Sequence, residues 1–512
     1  MKYRIIGISA AAVLMVLTAV LLKLDSANPK NRIHQHLTAR QPDAGCDCDG
    51  SELCTHLPLV IIDTEGQEIP GKPIIDEDDL VQGYTLSESG EEDISVTISF
   101  IDEEGVNHHP SDYTEKTSLA RFRIRGNSSR RFDKKNYRVK LCSDEEGTLK
   151  NPISIMGMSE DDDWALHGPF LDKTLIRNYM LMNISAEIMG YAPNVRFCEV
   201  ILDGEYQGVY LLMETIKESD YRVDLSDYQE GASRTSFILR LDLVEDFHRN
   251  EYSTTDINNY TFYTHKLEFS RQTKTGFSVL YPNELNLTNE LLETIQREVS
   301  YVERGIYSAD MLTGYFDYEK YFDVDSLVDY YILQEFLANN DAFYRSTYFY
   351  KDVRGKLVAG PVWDYNNILD NFFRTFDSEG FMLSNRSWYG RFMADESFVQ
   401  RVIKRYRYLR ETYLSEEYLL SYIDEVLEYL GPAIERNDEV WGYSYDPNAL
   451  EFGQYRHEDE THTLEEVNDS SHEEAVERMK QFLMDRGAWL DTHIEDLKQY
   501  CHPSKTAAER VE

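Results

Sequence analysis

The sequence predicts an α+β fold on three observations. Short β-branched or alternating runs fill residues 57–145, a helical stripe and a hairpin pattern follow, and long helical patterns dominate the C-terminal half. The order of strands, helix and hairpin places a helix against a mostly antiparallel sheet.

Each element has its own reason. LPLVIIDTEG, ISVTISFID and ARFRIRG, split by acidic and Gly-containing turns, read as strands, and KNYRVKLC continues them. From Lys173 to Met189 the apolar positions Leu175, Ile176, Tyr179, Met180 and Ile184 fall near helical spacing, and Gly190 stops the run. VRFCEVILDG and QGVYLLME, joined by Asp203-Gly204, read as a tight hairpin. FILRLDLVED adds a strand or hairpin half, and residues 286–340 turn helical, ending in SLVDYYILQEFLANND. STYFYKD and KLVAGPVWDY flank Arg354-Gly355 as another hairpin. Helical patterns return over Glu396–Leu430 and His472–Tyr500, and no internal repeat is visible.

Composition narrows the function classes. The 512 residues carry 92 acidic and 52 basic side chains, a net charge of −40, which argues against a nucleic-acid partner. Aromatic content of 12% is too rich for intrinsic disorder. Ile5–Leu22 is an uncharged run between Lys2 and Arg4 on one side and Lys23 on the other, so residues 1–23 read as an export signal. An uncleaved membrane anchor with the acidic bulk exported is the preferred form, and a cleaved signal peptide is the alternative. Residues 24–56 form a polar linker with a Cys cluster, 57–118 an N-terminal β region, 119–500 the main domain and 501–512 a tail. In CDCDGSELC, Cys46, Cys48 and Cys54 lie near His56, yet the spacing is not that of paired-ligand zinc sites. A small disulfide knot is the expected reading for an exported chain, and the pair His108-His109 is expected to be solvated.

Three motifs carry chemistry. In RIRGNSSRRFDKKNYRVKL, Arg125 leads into a polar turn of Gly126, Asn127, Ser128 and Ser129 between two strands, the second bearing Lys140, an arrangement suited to covering phosphates. Asp341 ends an apolar helix and Asp364 follows a hairpin; such a carboxylate pair can orient a nucleophile and hold a divalent metal. Glu214 stands where a strand leaves the sheet, placed to touch a base or pair with a Lys.

Together RGNSS, KKNYRVKL, DWALHGPFLDKTLIRNYM, EVILDGEYQGVYLLMETIK, NNDAFYRSTYFYKD, GPVWDYNN and FLMDRGAWLDTHI resemble the CotH (spore coat protein H) family of atypical kinases. The resemblance implies a two-lobed kinase-like fold with a helical C-terminal lobe, ATP with Mg²⁺ or Mn²⁺, and Ser or Thr on an exported, surface or spore-coat protein as acceptor. It implies Asp341 as catalytic residue, Asp364 as metal ligand, the RGNSS turn over the phosphates, Lys140 as phosphate contact and Glu214 as hinge carboxylate. Two departures stand out: Ser346 occupies the place where kinases commonly carry a metal-binding Asn, with Asn366 as a substitute, and Glu187 comes late for pairing with Lys140. A surface assembly protein of the same fold is the alternative, and a metal-dependent hydrolase a weaker one. The acidic surface suits basic acceptors.

Overall fold

A computed structural model describes residues 46–244, 255–264, 275–307, 318–373 and 375–501. The export segment expected at residues 1–23 lies outside them. Among the described residues no helix is long and apolar enough to cross a membrane.

Strands β1 (Leu59–Asp63), β2 (Pro73–Ile75), β3 (Val81–Tyr84), β4 (Ile94–Ile101), β5 (Thr117–Ile124), β6 (Tyr137–Cys142), β7 (Asp163–His167), β8 (Val195–Leu202) and β9 (Glu205–Glu214) occupy the first half. All but the small β2–β3 hairpin close into a barrel in the order β1-β4-β5-β6-β7-β9-β8. Alternation explains the barrel's filling: in β4 and β5 every second residue is buried, and Val96, Ile98, Phe122, Val139, Trp164 and Leu212 meet inside. Asp203 and Gly204 both take positive φ, as a two-residue hairpin turn requires, and the Asp203 carboxylate accepts from Thr64 N and Oγ1 at 2.7 Å.

Two expectations are corrected. The boundary at residue 118 falls within β5, and β1 pairs β8 in parallel, so residues 57–118 are not a separate region but one wall of a closed barrel. Closure pairs edges that an open antiparallel region would leave unpaired. The second lobe is not purely helical either. It holds a six-stranded sheet of order β11-β12-β13-β10-β14-β15, built from β10 (Phe237–Leu243), β11 (Thr255–Asp256), β12 (Thr261–Phe262), β13 (Thr275–Tyr281), β14 (Thr347–Lys351) and β15 (Val358–Ala359).

Helices α1 (Arg177–Ile188), α2 (Asn289–Tyr307), α3 (Val324–Phe336), α4 (Glu396–Arg410), α5 (Glu416–Leu430), α6 (Pro432–Trp441) and α7 (His472–His493) follow; α2 and α3 pack against that sheet, while α1 lies on β8 and α6 on β9 of the barrel. The pattern read as one helix over 396–430 is two, because Ser415 caps the second by accepting from Tyr418 N. Helix α1 is buried on nearly every side, with Tyr179, Met182 and Ile184 between the barrel's outer wall and the second lobe. The largest apolar cluster spans this junction, which fixes the two lobes against each other and leaves a polar cleft beside α1.

Candidate active site

The cleft is walled on the barrel side by Arg125, Gly126 and His167 and on the other by Asn178, Trp363 and Asp364. Its cavity of about 60 Å³ is well below that of a site engulfing a whole drug-sized ligand, so it matches a small ionic group.

Asp364 sits at φ 62°, a left-handed conformation uncommon for a residue with a side chain, and opens a short turn at Tyr365–Asn367. Asn366 Nδ2 donates to Asp364 Oδ1 at 2.6 Å, and Asn366 Oδ1 accepts from Asn178 Nδ2. The Asn178 side-chain oxygen accepts from Tyr365 N at 2.9 Å, so the first turn of α1 clamps the Asp364 turn from both ends. Burial pushes the Asp364 carboxyl up to about 6, the charge of Asp341 adds to the rise, and Arg125 opposes it. Arg125 holds its guanidinium over the Trp363 ring, 5.2 Å from its centroid.

Asp341 follows α3 in a turn whose backbone oxygen accepts from Tyr344 N and Arg345 N at 2.9 and 2.8 Å. Burial raises its carboxyl too, opposed by the Arg345 charge and a side-chain hydrogen bond with Asn367. A buried hydrogen-bond chain links the two acids. Asp341 N donates to Asn339 Oδ1 (3.0 Å), Asn339 Nδ2 to Gln334 Oε1 (2.6 Å), and Gln334 Nε2 to the hydroxyl of Tyr365, next to Asp364 (3.0 Å). Glu335 anchors the end of α3 by pairing with the buried Arg486 at 2.7 Å and accepting from Met382 N and Leu383 N. The spacing of the two turns is therefore set by core contacts rather than by solvent-exposed loops.

A third carboxylate belongs here that motif reading missed. Asp242, at the end of β10, raises the carboxyl groups of both Asp341 and Asp364 through its charge. Nothing in the sequence marks it among 92 acids; the pairing of β10 with β13 and β14 brings its charge within reach of both carboxyls. Asn178 and His167 were missed as well. His167 Nε2 lies 3.2 Å from Asn178 Nδ2, and burial lowers its imidazole to about 4, so it is neutral at neutral pH. DKTLIRN, the segment that ends in Asn178, was the available signal.

The other expected site residues diverge. Gly126 has φ 117° and a Cβ there would fall 2.0 Å from Ser129 Oγ, so glycine is required for the turn to close. Gly126 and Ser129 line the cleft, while Asn127 and Ser128 are exposed at its rim. Lys140 is exposed and does not line the cavity; it lies two residues beyond Arg138 on the outward face of β6, past the point where Arg138 pairs with Asp163 at 3.2 Å. Glu214 is buried and engaged within the fold: it accepts from Asn194 N and Nδ2 at 2.8 Å and from the Tyr191 hydroxyl at 3.1 Å. That network corrects the expectation of a carboxylate facing a base or a Lys, because its acceptor sites hold the loop entering β8. Glu187 neighbours Tyr413 and Tyr418 instead of Lys140.

The basic hairpin is also largely engaged in structure. Arg123 pairs with Glu92, Arg131 with Asp79, and Arg130 donates to the carbonyls of Gly126 and Gly71. Lys134 is buried and donates to Asn437 Oδ1 at 2.6 Å, its amine pushed well below its ordinary value by burial. Of the eight basic residues from Arg123 to Lys140, Arg125 is the one whose side chain lines the cleft.

The family model described as CotH kinase protein matches residues 122–490, a span that holds every cleft residue named above. Inner spore coat protein H of Bacillus subtilis (strain 168) is 21% identical over 244 residues, covering 47% of this chain and 56% of that protein, so the chain matches little more than half of its relative. With the family match extending over well more than half of the 512 residues, the chain belongs to the CotH family.

Proposed function

We propose that this protein is a CotH-type protein kinase that transfers the γ-phosphate of ATP to Ser or Thr of a surface or spore-coat protein. The observation carrying the proposal is Asp364 facing Arg125 across the cleft between barrel and second lobe, with Asp341 and Asp242 near enough for their charge to raise the Asp364 carboxyl. Mutually repelling, partly desolvated carboxylates are costly in the free protein and suit a site that receives a cation. The oxygen-only donor set fits Mg²⁺ or Mn²⁺, with Asp364 and Asp242 as its holders. When bound, the cation offsets charge on the phosphoryl oxygens.

The remaining work falls to side chains. Asp341 orients the acceptor hydroxyl and takes its proton, a task helped by a carboxyl that burial raises above its ordinary value. Arg125 offers the phosphate a fixed positive charge, and Gly126 lets the turn backbone approach it. Asn366 and Asn178 hold Asp364 in place. Neutral His167 adds no competing cation. The small cavity takes the phosphate end, with the rest of the nucleotide along the open cleft.

The similarity to a protein named for the inner spore coat motivates the acceptor class, and the net charge of −40 favours acceptors rich in Lys and Arg. One feature favours the second reading, an assembly protein with little turnover: Ser346, at φ 45°, replaces an amide where a second metal ligand is common in kinases. The test is purified protein with labelled ATP and Mg²⁺ or Mn²⁺, offered basic and acidic Ser/Thr peptides. Metal-dependent labelling lost in D341A and D364A is expected. Absence of nucleotide binding by calorimetry with both metals would leave the assembly reading.

A further inference from the structure

A second group of ligand side chains lies far from the cleft motifs in sequence and outside the residues matched by the family. Cys46, Cys48, Cys54 and His109 each place one ligand atom so that all four lie within 4.8 Å of one another. We propose that they form a closed structural zinc site that fastens the segment leading into the barrel to the connection between β4 and β5.

The backbone makes the meeting. Thr55 and His108 form an antiparallel bridge, Thr55 N donating to His108 O at 3.1 Å and His108 N to Thr55 O at 2.6 Å. Their neighbours Cys54 and His109 are thereby set side by side. His108 itself turns inward, its ring nitrogens 2.8 and 3.0 Å from the carbonyl oxygens of Leu57 and Glu103. His56, the histidine nearest the triplet in sequence, points away to the carbonyl of Tyr429 at 2.5 Å. Tertiary placement thus exchanges one histidine for another.

The surroundings are those of metal ligands. His109 Nε2 lies 3.5 Å from Cys46 Sγ, while Nδ1 faces Asp112 Oδ2 at 3.3 Å, and the same oxygen accepts from His109 N at 2.7 Å. A carboxylate on one ring nitrogen fixes the tautomer and turns the other nitrogen's lone pair to the metal. Asn107 Nδ2 donates to Cys54 Sγ at 3.3 Å, the kind of outer contact that steadies a thiolate. Ligands at about 2.3 Å for sulfur and about 2.0 Å for nitrogen sit roughly 3.5–4 Å apart around a tetrahedral zinc, so only a small contraction is needed.

Where a small disulfide knot with one thiol joined to a distant cysteine is expected from the sequence, the structure pairs none of the six cysteines. Any one bridge would leave a thiol and an aimed imidazole without a role. Soft sulfur with one imidazole, four protein ligands and no open position describe a structural zinc rather than a catalytic one. The consequence lies in lobe packing. Thr55 Oγ1 accepts from Arg436 of α6 at 3.0 Å and His56 reaches Tyr429 of α5, so the stapled segment also touches the helical lobe.

The test uses tag-free full-length protein purified under reducing conditions without added metal. Stoichiometric zinc by mass spectrometry of the elements is expected, and cobalt(II) in its place should give the intense visible bands of tetrahedral thiolate ligation. C48S and H109A should lose the zinc, D112N should bind it 10–100-fold more weakly, and C501S should keep it. If a variant fails to fold, chelation of the wild type decides: zinc release should open residues 46–57 to protease while the barrel stays protected. Full zinc retained by both C48S and H109A, or a reduced wild type that carries no zinc and takes up neither zinc nor cobalt(II), overturns the proposal.

Discussion

Around the cleft, the charge of Asp242 raises the carboxyls of Asp341 and Asp364 without the three acids converging, whereas Cys46, Cys48, Cys54 and His109 hold four ligand atoms within 4.8 Å. The cleft acids are held by long-range core contacts, through Gln334, Tyr365 and the Glu335–Arg486 pair. The thiol group is held by one local bridge and outer contacts from Asn107 and Asp112. The difference separates two uses of ligand residues. The cleft acids stay spaced and only partly compensated by Arg125 and Arg345, at a cost in stability that a bound cation would offset on the proposed reading. A site that only fastens the chain completes its own coordination.

Variants in each region should therefore fail in opposite ways. The largest expected effect is on turnover: D341A lowers phosphate transfer by about 10²–10⁴-fold with the fold intact, measured by labelled-ATP incorporation and thermal melting, while H109A changes turnover far less. Next is Glu214→Ala, which removes the buried acceptor of the Asn194 N, Asn194 Nδ2 and Tyr191 hydroxyl donors. It should cost about 2–3 kcal/mol in urea unfolding and leave ATP affinity unchanged; a selective loss of affinity would restore Glu214 to the nucleotide site.

Asp364→Asn should stabilise the metal-free protein. The folded carboxyl is raised to about 6, so its protonation contributes stability present below the ordinary carboxylate range and lost as pH rises through about 6. Removing the ionised form should gain about 1–3 kcal/mol at pH 8, discounted for the solvent that reaches the cleft, and the gain should vanish toward pH 4. A melting-temperature series against pH checks it, and an equal gain at both ends would refute it. The smallest effect separates two cations: Arg125→Met should weaken ATP binding about tenfold, roughly 1.4 kcal/mol, and Lys140→Met less than that, by calorimetry. The reverse order would return the phosphate contact to β6.

Much of the fold was legible because its signals are local. The alternation in ISVTISF and ARFRI buries every second side chain wherever the strand pairs, and Asp203-Gly204 favours a tight hairpin turn. Asp341 and Asp364 stood out because each sits in a short polar motif at the end of an apolar run. Lys140 and Glu214 misled because a strand's sequence does not say how far along the cleft a side chain reaches, nor whether a neighbouring loop has claimed a carboxylate.

The sequence by itself determined the element types, the family and the two motif acids, since propensity, periodicity and turn chemistry act over a few residues. Tertiary structure alone decided that β1 closes a barrel against β8, that Asp242 joins Asp341 and Asp364, that Arg125 lines the cleft while Arg123, Arg130, Arg131 and Lys134 are tied into the fold, and that His109, not His56, meets the cysteines. Each of those outcomes depends on which distant segments share a core, and burial, charge coupling and ligand geometry have no value until the chain has closed upon itself.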